Sequence, residues 1–187
     1  MKIQMLKSWN ENFLISIVLL IKNWRSKMIA RWLTINILTV FIIVFWSLYQ
    51  GYDSNYILIG KIAAQAAFFL FLFNINMYFV FLLIRKSKIR NIKVKLAKVS
   101  KRMMKYHIPI AITASLLILF HAAMMIYSRW EHLLEVKIIS GTVTTCILIV
   151  LLFSGLLRRW KASGKRRRFH YIMAFVFFGF AIFHIFL

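Results

Sequence analysis

The sequence predicts an all-α, polytopic membrane bundle of five transmembrane helices, with an interfacial amphipathic helix at its N-terminus. Three observations carry that expectation. The chain of 187 residues is 62% hydrophobic, with a mean hydropathy of +0.77. Five stretches, 32–52, 62–84, 106–128, 138–157 and 169–187, hold no Asp, Glu, Lys or Arg. The basic residues, finally, gather between alternate stretches. A helix needs about 20 apolar residues to cross roughly 30 Å of hydrocarbon, and all five stretches come near that length. Barrel strands would be about half as long and would alternate apolar with polar residues, which these do not.

Composition excludes the competing classes. Lys and Arg number 26 against 4 Asp and Glu, a formal net charge of +22. Such charge alone suits a nucleic-acid binder, but a nucleic-acid domain does not carry several long uncharged apolar runs. Disorder fails on the same ground. The single cysteine, Cys146, excludes an internal disulfide framework and any CxxC site, and at mid-span it reads as a small buried hydrophobe.

In chain order, residues 1–31 form a cytoplasmic N-terminal segment. Its apolar run 13–21 is too short to span, lies between Lys7 and Lys22, and precedes no small-residue cleavage site. Residues 10–24 are therefore expected to lie on the membrane surface as an interfacial helix. Residues 32–187 form the membrane domain, with spans expected over about 32–52, 57–84, 106–128, 137–157 and 169–187. The segments 1–31, 85–105 and 158–168 hold six, ten and seven basic residues, all on one side if the spans alternate. By the positive-inside rule that side is cytoplasmic, and the C-terminus is outside a plasma or inner membrane. The two basic connections are expected as the longer, inner loops, suited to anionic lipid or an acidic partner.

The histidines carry the functional information. Fourteen residues separate His107 from His121, and fourteen separate His170 from His184. Each pair lies in one expected span, the third and the fifth. Fourteen steps of 100° fall about 40° short of four turns and rise about 21 Å, so both members share a face at two depths. The two ligand spans run in the same direction. His107 and His170 are therefore expected at one level near the inner face, and His121 and His184 at another near the outer face. Ionisable side chains within a span are costly and point to function. Two facing imidazoles at each level suit both axial positions of a haem iron, giving two b-type haems. Zinc or copper would instead want three or four ligands at one point.

Other residues fit that arrangement. Between the histidines the same faces present Ala111, Ala114 and Ile118, and Met173, Ala174, Phe177 and Ala181. Phe177 stands midway between the two levels. Lys61 and Arg129 near the outer level, and Arg102 near the inner one, are candidates to meet haem propionates. His132, between Trp130 and Leu133 in an outer loop, reads as solvated.

These elements resemble the ferric-reductase-like transmembrane superfamily, which includes ferric reductases, the NADPH oxidase membrane domain and the haem-binding subunit of a methionine sulfoxide reductase system. The resemblance rests on "HIPIAITASLLILFH" from His107 to His121, "HYIMAFVFFGFAIFH" from His170 to His184, and the flanking "RMMKYH" and "RRRFHY". It implies two haem b groups and transmembrane electron transfer to an outer acceptor such as ferric iron, dioxygen or a partner protein. Larger members continue into a flavin and NAD(P)H domain, whereas this chain ends three residues after His184 and contains no glycine-rich dinucleotide motif. The expectation is therefore a separate donor, either a cytoplasmic flavoprotein or a membrane quinol. Dihaem quinol-oxidising cytochrome b has similar spacing and stays open as an alternative. So does a cofactor-free assembly subunit or small transporter exploiting Lys61, Gln65, Asn74 and Asn76.

Overall fold

The computed structural model describes residues 31, 32 and 34–187, and among these the chain is helical with no strand. The expected interfacial helix at 10–24 lies outside the described residues. By its internal contacts the chain divides between Ile42 and Ile43. In the first unit the described residues open helix α1 (Thr34–Tyr49), where Ile37, Leu38 and Phe41 are exposed. The second unit holds the rest of α1 and then α2 (Asn55–Lys86), α3 (Arg90–Ser128), a 3-10 turn (Trp130–His132), α4 (Val136–Trp160) and α5 (Gly164–Phe186).

Four of these helices, α2 to α5, are long and apolar enough to cross a membrane. The first expected span ends earlier than its uncharged stretch suggests. Helix α1 is described from Thr34 to Tyr49, and residues 31 and 32 are helical as well. Its end is set by Gly51, whose φ of 63° is the left-handed conformation that glycine adopts without a Cβ penalty. The Gly51 amide turns back to the Leu48 carbonyl at 3.1 Å, so the polar end of the stretch is turn rather than helix.

The basic connections also differ from expectation. The segment 85–105 is not a long loop. Arg85 and Lys86 close α2, three residues follow, and α3 begins at Arg90 and runs for 39 residues. Likewise Arg158 and Arg159 close α4, and residues 165–168 already belong to α5. The physical reason is that Lys and Arg are good helix formers. Their charge marks where hydrocarbon ends and does not interrupt the helix. Ser54 and Ser163 cap α2 and α5, accepting from the amides of Ile57 and Arg166.

Short connections make α2 antiparallel to α3 and α4 antiparallel to α5, and these are the two closely packed pairs. Much of each helix surface outside these contacts is apolar and exposed, including Phe69, Leu116, Ile149 and Phe183. For helices of this length and composition that surface matches lipid. α1 is tied to the end of α5: Trp46 Nε1 donates to the Ile185 carbonyl at 3.1 Å, and its ring lies 5.4 Å from that of Phe186.

Candidate functional site

The four intramembrane histidines meet across α3 and α5. The ring centres of His107 and His170 are 6.3 Å apart, and those of His121 and His184 are 6.4 Å apart. Both pairs stand nearly perpendicular, at 82° and 72° between ring planes. Because α3 and α5 run the same way, the fourteen-residue offset on each carries one pair of rings to each level. These are the residues and the pairing that the sequence singles out.

The distance has chemical content. A metal–imidazole bond is about 2 Å, and a ring nitrogen lies about 1.2 Å from its ring centre. Two imidazoles on opposite sides of one metal ion therefore hold their ring centres about 6.4 Å apart when the bonds are collinear. The observed separations of the ring centres, 6.3 and 6.4 Å, are close to that distance. Among the described residues, no three His, Cys, Asp or Glu side chains converge on a common point. Each level thus presents two imidazoles.

Each ring is also held from behind. His121 Nδ1 lies 2.9 Å from the Gly60 carbonyl on α2; a carbonyl only accepts, so Nδ1 carries the proton. His170 Nδ1 is 2.8 Å from Ser154 Oγ, and His184 Nδ1 is 2.8 Å from Ser140 Oγ, both on α4. At His121 this leaves Nε2 with its lone pair free, and at His170 and His184 the hydrogen bond likewise engages Nδ1. His107 differs: its Nδ1 is buried with no hydrogen-bond partner among the described residues. Its backbone carbonyl instead accepts from Asn74 Nδ2 at 3.2 Å. Glycines let the rings sit close to neighbouring backbones. A Cβ at Gly141 would stand 2.9 Å from His184 Cε1, and one at Gly155 would stand 3.3 Å from His170 Cε1.

A cavity of about 530 Å³ opens at the level of His121 and His184, and its lining includes both of them with Lys61, Arg129, Lys137 and Phe177. That volume lies within the usual range for small-molecule and cofactor sites. Lys61 Nζ donates to the Gly51 carbonyl. Lys137 Nζ donates to Gln50 Oε1 at 3.0 Å. Arg129 pairs with Glu135 at 2.8 Å and lies 3.9 Å from Asp53. Three cations and two carboxylates, Asp53 and Glu135, thus rim a cavity whose body is apolar. Phe177 is only 3% exposed and meets Phe71 edge-on at 4.8 Å between ring centres.

Arg102, expected near the inner level, is exposed on α3. One sequence expectation is corrected. Cys146 is exposed rather than buried, and it stands among the residues lining this cavity. His132, as expected, is largely exposed, with Glu135 at 3.7 Å. Lys137, Ser140, Ser154 and Gly60 were not singled out from sequence. Their signal is arithmetic: Ser140-Gly141 and Ser154-Gly155 repeat at the same offset of fourteen as the histidines they meet, as do Gly60 and Asn74 on α2. No protein-family model, characterised protein or solved structure matches the chain.

Proposed function

We propose that this chain is a membrane cytochrome b that binds two haems by paired histidines and passes electrons across the bilayer, as the resemblance to the ferric-reductase-like superfamily implies. The observation that carries the reading is the separation of 6.3 and 6.4 Å between the two facing ring pairs. His107 and His170 would hold the inner haem, and His121 and His184 the outer one. Haem bound in this way supplies a one-electron couple at its iron.

The chain's own residues do the rest. The Gly60 carbonyl and the hydroxyls of Ser140 and Ser154 engage Nδ1 of three ligands, so that Nε2 would be the nitrogen offered to the iron. Lys61, Lys137 and Arg129 rim the outer cavity and would balance propionate charge. Apolar side chains exclude water along the path, with the Phe71–Phe177 contact between the levels. In this reading the chain spans a plasma or inner membrane five times, with the N-terminus and the basic ends on the cytoplasmic side. The basic inner end receives electrons from a separate flavoprotein or from membrane quinol. The outer end delivers them to ferric iron, dioxygen or a partner protein.

The test is a dithionite-reduced minus oxidised spectrum of the purified protein, with haem quantified as its pyridine complex. Two b-type haems per chain are expected. His121→Ala and His184→Ala should each remove one and the same haem, while His107→Ala and His170→Ala remove the other. A colourless protein from haem-replete cells would overturn the reading and favour a cofactor-free membrane subunit.

A further inference from the structure

The structure carries a second device at each histidine level, and it lies on a helix that bears no histidine. We infer that the Ser140-Gly141 and Ser154-Gly155 pairs of α4 are positioning residues that orient, and tune the electron donation of, the two α5 ligands. This inference rests on the haem-binding reading above.

The argument begins with protons. A serine hydroxyl has one proton to donate. Ser154 spends it on the Leu151 carbonyl at 2.6 Å, and Ser140 spends it on the Lys137 carbonyl at 2.8 Å. Each oxygen is then left only as an acceptor toward the imidazole 2.8 Å away, so the ring nitrogen facing it must be Nδ1–H. Nε2 is thereby the unprotonated nitrogen, the form a metal ligand needs. The adjacent glycine supplies the second constraint. With no Cβ at Gly141, the ring edge of His184 approaches the α4 backbone more closely than a side chain there would allow without a shift, and at Gly155 the clearance to His170 is tight but nearly sufficient. Oxygen and glycine together fix both the rotation and the tilt of the ring.

The repeat argues that the two devices form one design. Ser140 and Ser154 are fourteen residues apart, as are Gly141 and Gly155, and so are His170 and His184 on the antiparallel neighbour. The α3 ligands are supported differently. His121 leans on a backbone carbonyl, and His107 has no partner at Nδ1 among the described residues. Tuning by a removable side-chain oxygen is therefore confined to α5. A ligand imidazole whose Nδ1–H is hydrogen-bonded is more electron-rich and favours the oxidised metal. Losing the acceptor should shift the couple toward reduction at that level alone.

Redox titration of the full-length, haem-loaded protein in detergent tests this. Ser154→Ala should raise the midpoint potential of the haem that depends on His107 and His170. Ser140→Ala should do the same for the haem that depends on His121 and His184. A threefold to tenfold change in redox preference is expected at the affected site, at most about 59 mV for one electron. Haem affinity at that site should fall about tenfold or more. Ser140→Thr, which keeps the hydroxyl at a half-buried position, should restore the wild-type potential. Ser154 is the more buried serine, at 1% exposure. If Ser154→Ala fails to accumulate, the Ser140 pair of variants decides the matter alone. Two haems in the wild type with unmoved potentials in the alanine variants, or with both haems shifted equally by either one, would overturn the positioning role and leave the cytochrome intact. Absence of haem from the wild type would overturn both.

Discussion

Replacing Gly141 or Gly155 by Ala adds the same methyl group to the same helix, yet the two should behave differently. Carbon atoms in good contact are about 3.5 Å apart or more. At Gly141 the new Cβ would meet His184 Cε1 at 2.9 Å, so the ring must retreat by about 0.6 Å. At Gly155 the contact with His170 Cε1 would be 3.3 Å, and about 0.2 Å of movement relieves it. A binding constellation tolerates about 0.5 Å of misplacement before its geometry fails. The first change exceeds that tolerance and the second does not. Overpacking costs about 1–3 kcal/mol, while exchanging a mid-helix glycine for alanine returns up to about 1 kcal/mol. Net destabilisation at Gly141 should therefore be about 2 kcal/mol or less, and at Gly155 close to nil. Haem content per chain, read site by site from the reduced spectrum, is the assay, with thermal unfolding in the same detergent as the control. Gly141→Ala should lose the His121/His184 haem while still folding, and Gly155→Ala should keep both haems. Equal loading of the two variants would refute the reasoning, because the backbone clearance beneath the rings would then set nothing.

Trp46→Phe removes the donor to the Ile185 carbonyl but keeps a ring against Phe186, so thermal unfolding should report a loss of about 1 kcal/mol. Arg129→Ala breaks contacts to Glu135 and Asp53 whose partners are 39% and 89% exposed, so the loss should stay below about 1 kcal/mol. At high salt the wild-type and variant unfolding curves should converge, since screening removes most of the attraction in the wild-type pair. The ring planes of the two pairs, at 82° and 72°, should appear in electron paramagnetic resonance of the oxidised protein as two strongly anisotropic low-spin signals. Signals of the type given by parallel imidazole planes would contradict that orientation.

The part of this site that could be read from sequence is the part written in rare residues. Histidine is uncommon within apolar spans, so two offsets of fourteen stand out and helical geometry does the rest. Ser140, Ser154 and the glycines beside them are ordinary small residues of a membrane helix. Only their register against His170 and His184 gives them meaning, and that register depends on where the α4–α5 turn falls. The helical start of α3 was hidden for a different reason. Ten basic residues between 85 and 105 mark an exit from hydrocarbon, and hydropathy does not separate a charged helix from a charged loop. At α1 the reverse happened: the uncharged stretch continues through Gly51 and Tyr52, but the left-handed turn at Gly51 ends the helix first.

The antiparallel pairing of α2 with α3 and of α4 with α5 has a consequence for assembly. Each hairpin has the length and composition to enter a bilayer by itself, in keeping with a two-stage route in which helices insert before they associate. Neither hairpin owns a complete ring pair, because one histidine of each pair comes from α3 and the other from α5. Any group gripped between the rings would bridge the two halves at both levels at once. Separation of the hairpins, connected along the chain by the short stretch between α3 and α4, would then empty both levels in one cooperative step. The contents of the protein would thus report whether its two halves have come together.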